Sequence, residues 1–377
     1  MKFKRIKNFI CLLLTAVMLI SLTACSQSSG GTEKTETTGT ETSESGASST
    51  EAGDSDTEAS TKDGSVTEDT GTGNTGATKI VCTIFPEYDW VKEIIKGHES
   101  DFELTLLMDK GTDFHSFQPT VADISLISEC DIFIYVGGES DEWAEEALKN
   151  AGNPNLKALN LMEILGDAAK EEELKEGMES EEEEEDEDSS TGTDGEEVEY
   201  DEHVWLSLRN AKTFVEEISN TIAEKDEDIA DDILMNAEAY REMLNKLDNQ
   251  YMQAVDDASG DTLIFGDRFP FRYLVDDYGL NYYAAFIGCS AETEASFETV
   301  AFLAEKVKEI GVKNVIVLEN SDTKIADTII QTSGVSDCST LVMNSLQSYQ
   351  LTYTDADETY LGIMTDNLAV LRQALDY

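Results

Sequence analysis

At 377 residues the chain is too long for one ordinary domain, and roughly 150 residues per domain suggests two. Aspartate and glutamate number 79 against 26 lysines and arginines, a formal net charge of −53 that phosphate backbones would repel, so nucleic-acid binding is excluded. Four prolines and 25 glycines exclude a collagen-like or Pro-rich linker chain and leave an acidic, mostly soluble protein.

Lys2, Lys4, Arg5 and Lys7 open the chain and an apolar run from Phe9 to Leu22 follows, the pattern of an export signal. The segment closes on Leu22-Thr23-Ala24-Cys25, which resembles the bacterial lipobox. That resemblance implies cleavage before Cys25, lipid attachment at its sulfur and anchoring to the outer face of the bacterial cytoplasmic membrane. More than one acyl chain makes such an anchor stable. Residues 26–78 are almost entirely Ser, Thr, Gly, Glu and Asp, too polar to offset ordering entropy, and read as a disordered tether. A flexible chain of roughly 50 residues has a reach on the order of 40 Å, enough to lift a folded body off a membrane.

From Lys79 the pattern changes to short apolar strands alternating with amphipathic helices. Lys79–Phe85, Phe102–Leu107 and Asp131–Val136 read as strands. Asp89–Lys96, Pro119–Cys130 and Glu139–Asn150 read as helices, with Pro119 in a first helical turn. An acidic run from about Lys170 to Tyr200, including eight consecutive acids from Glu181 to Asp188, interrupts this pattern and predicts a long mobile loop. Ser207 caps a helical region reaching about Ala258, with a break near Lys225–Asp228. Strands resume at Thr262–Phe265, Tyr282–Phe286, Asn314–Leu318 and Ser339–Met343. Helices near Phe269–Tyr278, Ser296–Ile310, Thr323–Thr332 and Thr359–Leu375 separate and follow them.

Such alternation predicts an α/β fold of two lobes, each a parallel sheet flanked by helices, joined by a long backbone helix with a ligand cleft between. The expected divisions are a leader over 1–25, the tether over 26–78 and a first lobe over 79–206 that carries the acidic loop. A helical connection over 207–258 and a second lobe over 259–377 complete the chain.

Cys82, Cys130, Cys289 and Cys338 remain once Cys11 leaves with the leader and Cys25 is lipidated. Outside the cytosol these four permit three pairings, of which Cys82–Cys130 is the preferred disulfide, with free buried thiols as the alternative. No C-x-x-C occurs, which disfavours a thiolate zinc knuckle. Of three histidines, His98 follows a helix and reads as structural. His115 lies between a strand and a helix, beyond the strand's carboxyl end, where open α/β sheets hold ligands. His203 lies just before the capped helix. Two imidazoles with strand-end carboxylates suit zinc or manganese.

GTDFHSFQPT (111–120), DEHVWLS (201–207) and FGDRFPFRYLVDDYGL (265–280) resemble the three elements of the zinc/manganese substrate-binding proteins of ABC importers, over about Lys79 to Leu375. The acidic loop falls just before the second histidine, where zinc-specific members of that family carry a His- or acid-rich insert. The resemblance implies a Zn²⁺ (or Mn²⁺) ion held between the lobes by His115 and His203. It places a third ligand on Gly266, which has no side chain, so Asp267 beside it is the expected substitute, against an ion pair with Arg268. A fourth falls on Asn344, a weak neutral donor, and Glu319 is a further carboxylate on the cleft side. Both imidazoles must be neutral to coordinate, so binding should weaken toward pH 5.

The implied function is a monomeric receptor that captures the metal and delivers it to the permease and ATPase subunits of an importer, with no enzymatic activity. The alternative is a surface lipoprotein of the same fold with a degraded metal site, acting as an adhesin or binding another solute. A metallohydrolase fits poorly, because neither H-E-x-x-H nor G-x-S-x-G is present.

Overall fold

A computed structural model describes residues 76–179, 199–290, 294–351 and 358–376. The expected leader with Cys25, nearly all of the tether and positions 180–198 of the acidic run lie outside the described residues.

The described residues form one compact unit containing two four-stranded parallel sheets. The first holds β1 (Thr78–Cys82), β2 (Phe102–Leu106), β3 (Ile132–Tyr135) and β4 (Lys157–Asn160), ordered β2-β1-β3-β4. The second holds β5 (Thr262–Phe269), β6 (Asn281–Ile287), β7 (Asn314–Leu318) and β8 (Ser339–Met343), ordered β6-β5-β7-β8. Each sheet therefore reverses its direction of growth after its second strand, which puts a ligand crevice at the carboxyl ends of its central strands.

The central strands are buried on both faces, as parallel sheets covered by helices require: every residue of β3 (IFIY) and of β7 (NVIVL) is buried. β1 stops at Cys82 rather than at Phe85, because Pro86 sits in the first turn of α1 (Phe85–Ile94). The buried Glu87 carboxylate accepts from the amides of Thr83 (2.8 Å) and Ile84 (3.2 Å) and fixes that turn. Thr120, not Pro119, opens α2 (Val121–Glu129), through a reciprocal capping box with Asp123. α3 (Glu142–Lys149) follows β3. β4 and α4 (Leu161–Leu165) escape the sequence pattern, since β4 is a four-residue edge strand whose first two residues are exposed.

Ser207 caps α5 (Leu208–Ala223) by accepting from the Asn210 amide at 3.0 Å. α6 (Ala230–Asp256), 27 residues long, lies against α5, α1 and the terminal helix. His98 joins this region as a surface contact, its Nε2 3.0 Å from Asp232 Oδ2. The second sheet is covered by α7 (Arg272–Tyr278), α8 (Phe297–Lys306), α9 (Lys324–Ser333) and α10 (Tyr360–Ala374). One hydrophobic core runs through both lobes, from Ile80 of β1 and Trp90 of α1 through Phe214 and Tyr251 to Phe265 of β5 and Leu371 of α10. Pulling the lobes apart would expose that core at about 25 cal/mol per Å² of apolar surface, so the shared packing resists wide opening.

Two expectations are corrected here. All four cysteines among the described residues are free thiols, so Cys82 and Cys130 form no disulfide. Cys82 ends β1 opposite Ile134, whereas Cys130 precedes β3 beside Lys79, so strand register sets the two at opposite ends of the sheet. The acidic loop, expected to be mobile from about 170, instead begins as a packed strap. Lys170–Glu172 pairs with Glu199–Asp201, the Glu179 amide donates to the Ala285 carbonyl at 3.0 Å, and Lys175 Nζ lies 3.8 Å from the Tyr282 ring centre. The strap covers the outer strand β6, whose edge would otherwise stand unpaired.

Candidate metal centre

His115 lies in a single 3₁₀ turn (Phe114–Ser116) after β2, and the Asp113 Oδ1 that caps the turn accepts from the His115 amide at 3.1 Å. The other oxygen of Asp113 pairs with Arg268 Nη2 across the lobes at 2.7 Å. His203 precedes a second 3₁₀ turn (Val204–Leu206), held by Trp205, whose Nε1 donates to the Ser345 carbonyl at 2.9 Å. Main-chain bonds then zip the loop after β2 to the loop after β8. The Gly111 amide donates to Tyr349 (2.9 Å), Phe114 to Gln347 (3.0 Å) and Leu351 to Asp109 (2.9 Å). This ladder fixes Gln347 beside the histidines.

The two imidazoles meet Nε2 to Nε2 at 3.0 Å. Two nitrogens each ~2.0–2.1 Å from a tetrahedral ion stand about 3.3 Å apart, so the rings are within a few tenths of an ångström of chelating spacing. The Gln347 amide nitrogen is 3.2 Å from His115 Nε2 and in closer contact with His203 Nε2. Cys289, after β6, completes the only group of three or more His, Cys, Asp or Glu among the described residues whose ligand atoms all lie within 4.8 Å of one another.

Each ring is oriented from behind at Nδ1, His203 by an acid and His115 by a hydroxyl. Asp201 Oδ1 lies 2.9 Å from His203 Nδ1 and also accepts from the His203 amide at 2.9 Å. Ser140 Oγ lies 2.9 Å from His115 Nδ1, with Glu202 Oε2 at 3.6 Å. Partners on Nδ1 leave Nε2 of each ring for a metal, the usual arrangement behind metal-binding histidines. Burial, then the neighbouring His203 and Arg268, pushes His115 down to about 2. The folded cleft therefore keeps this ring neutral, the form that coordinates a metal.

The other expected ligands are not brought to the histidines. Asp267 Oδ1 accepts from the Arg268 amide (2.8 Å) and Oδ2 from the Leu318 amide (3.1 Å), so its carboxylate closes the β5 bulge at 265–268. Glu319 accepts from the Ser345 amide and hydroxyl at 2.6 and 2.7 Å. Asn344 Oδ1 accepts from the Leu346 amide at 2.8 Å, shaping a turn in which Leu346 takes a φ of 61°. Cys289 and Gln347 are what the sequence reading missed, although both follow a strand's carboxyl end.

Gly266 packs against α9. A Cβ there would lie 2.7 Å from the Ala326 Cα and 2.8 Å from its Cβ. Gly266→His is therefore expected to destabilise the fold by ~1–3 kcal/mol or more through overpacking, without gaining a ligand. Denaturant titration and zinc affinity check this together; tighter zinc binding at unchanged stability would contradict it.

A cavity of about 690 Å³ opens from His115 and Cys289 outward, lined by Glu139, Glu142, Glu163, Glu172, Glu199 and Glu202. A second, also about 690 Å³, lies on the Asp267 and Glu319 side. Burial raises the carboxyls of Asp89 to about 6 and of Asp141 and Glu172 to about 7. Between about pH 4 and 7 the folded chain keeps protons on them that the unfolded chain has released, so their contribution makes stability fall as pH rises. His115 acts in the opposite sense, because the unfolded ring gains its proton below 6.5 and the folded ring only near 2. Three carboxyls outweigh one imidazole, and acid also relieves the −53 charge. The melting temperature is therefore expected to peak near about pH 4 and to fall toward pH 8; a steady rise between about pH 5 and 8 would contradict this.

Two fused parallel α/β lobes thus bring side chains from both to one cleft at the carboxyl ends of their strands, the architecture of the two-lobed solute-binding fold. Residues 80–374 match the model of the ZnuA family, described as zinc-uptake complex component A, periplasmic, and the chain belongs to that family. It is 30% identical over 311 residues to the high-affinity zinc uptake system protein ZnuA of Bacillus subtilis (strain 168), covering 82% of this chain and 92% of that one. It is 31% identical over 301 residues to the zinc-binding lipoprotein AdcA of Streptococcus pneumoniae (strain R6), covering 80% of this chain but 56% of that protein. The chain thus spans about half the length of the AdcA relatives it matches. The Zn(II)-bound ZnuA-like domain of S. pneumoniae AdcA superposes with a TM-score of 0.60 at 27% identity, covering 80% of this chain and all of that one.

Proposed function

We propose that this chain is the extracytoplasmic receptor of an ABC importer, capturing Zn²⁺ between its lobes and delivering it to a membrane permease with an ATPase partner. The observation that carries this reading is the Nε2 pair of His115 and His203, 3.0 Å apart and each backed at Nδ1 by polar partners. Borderline-soft zinc suits imidazole better than manganese does, which makes Zn²⁺ the first choice and Mn²⁺ the second. The family consists of transport receptors rather than enzymes. His115, His203 and the acidic wall of the cavity serve capture and release, not turnover.

Lipid attachment at Cys25 would hold the receptor beside its permease. Partition of the mature protein into detergent, lost in Cys25→Ala, tests the anchor. Equilibrium dialysis of the purified protein with metal analysis tests the receptor itself: one zinc per chain is expected, bound more tightly than manganese. Failure to retain zinc would leave the fold to an adhesin or to another solute.

A further inference from the structure

We propose that the sulfur of Cys289 is a third metal donor in the cleft, which turns the two-imidazole centre into a His₂Cys site selective for thiophilic ions. This rests on the reading of the cleft as a metal-capture site. The thiol stands within 4.8 Å of the ligand atoms of His115 and His203, and it lines the outer cavity together with His115. In a tetrahedral centre with Zn–N of ~2.0–2.1 Å and Zn–S of ~2.3 Å, sulfur and nitrogen stand about 3.6 Å apart, so roughly 1 Å of side-chain movement completes the contact.

The strand end is shaped for this approach. Gly288 is buried, and a Cβ at that position would lie 2.9 Å from Cε1 of His203 and 3.0 Å from the Phe269 carbonyl oxygen. Only glycine lets the chain leaving β6 run this close to the imidazole, and the next residue is Cys289. The other described thiols are placed differently: Cys82 and Cys130 are buried in separate hydrophobic clusters, and Cys338 is half-buried against a third that includes Ile264 and Val315.

On binding, the S–H bond breaks heterolytically. The sulfur lone pair goes to the metal, the proton to solvent water, and no electron is transferred. Two nitrogens, one thiolate and an oxygen, from Gln347 Oε1 or water, make a four-coordinate N₂SO set. Thiolate favours Zn²⁺ over Mn²⁺ far more than a carboxylate in the same place would, so Cys289 sets selectivity as well as affinity.

Cobalt substitution reads the sulfur directly. The purified protein loaded with Co²⁺ should show a thiolate-to-metal charge-transfer band in the near ultraviolet that Cys289→Ala removes. Zinc affinity in Cys289→Ala should fall by at least the ~10–100-fold that losing an outer partner of a metal site costs, with manganese affinity changed far less. Should that variant fold poorly, protection of Cys289 from alkylation by Zn²⁺ in the wild-type protein gives the same answer. No charge-transfer band in the wild type, no protection, or unchanged zinc affinity in a folded Cys289→Ala would overturn the proposal. His115→Ala separates the two levels. If it binds zinc as the wild type does, the cleft reading itself fails; if it loses zinc while Cys289→Ala does not, only the thiolate is wrong.

Discussion

His115→Ala and His203→Ala are each expected to lose ~10²–10³-fold or more in zinc affinity, measured by competition with a chelator. The size follows from sharing ~10–16 kcal/mol of zinc binding among four donors, about 3–4 kcal/mol each. The two variants should differ in stability. His203 is fully buried, and its ring leaves Asp201 Oδ1 with the His203 amide as its remaining neighbour once removed. A buried carboxylate stripped of its ring partner is costly, so His203→Ala should also lower the melting temperature of the metal-free protein. His115 stands at the cavity wall, and its Ser140 partner can turn to water in the cavity, so His115→Ala should leave that melting temperature nearly unchanged. Wild-type zinc affinity in either variant would contradict the assignment of the cleft.

Those two histidines were legible in the sequence because each sits in a short motif at a predictable place, between a strand and a helix or just before a capped one. The parallel sheets were legible for a similar reason: runs such as NVIVL and IFIY, alternating with amphipathic stretches, leave little choice of architecture. What periodicity cannot supply is the path of the chain beyond a strand's last residue. Asp267 and Glu319 look like ligands because they are acids at strand ends, yet the bulge in β5 turns one onto main-chain amides, and Ser345 engages the other. Gln347 lies three residues past Asn344, the position that the family pattern singled out. It reaches the histidines only because Leu346 adopts a left-handed φ and the loop zips onto residues 109–114. Cys289 was visible as a thiol but not as a neighbour, since nothing local announces that Gly288 packs against a ring 85 positions earlier in the chain.

Gln347→Glu is expected to tighten zinc binding by ~10–100-fold, about 1.4 kcal/mol for each tenfold. The side chain is 2% exposed and its amide already touches both Nε2 atoms, so any donor there faces the ion. An amide presents one neutral oxygen and must first turn its NH₂ away from the rings, whereas a carboxylate presents an anionic oxygen in either orientation. The same charge is a liability without metal. It is buried near Glu319, whose carboxyl burial already holds above its ordinary value, and Ser345 Oγ, 3.2 Å from Gln347 Oε1, is shared between them. The metal-free Gln347→Glu protein should therefore melt below the wild type, while saturating zinc should raise its melting temperature by more than it raises that of the wild type. Opposite signs in the two states are the signature of a group that faces the metal. If affinity and both melting temperatures stay at wild-type values, position 347 lies outside the coordination sphere, and the close approach of its amide to the rings is a packing contact.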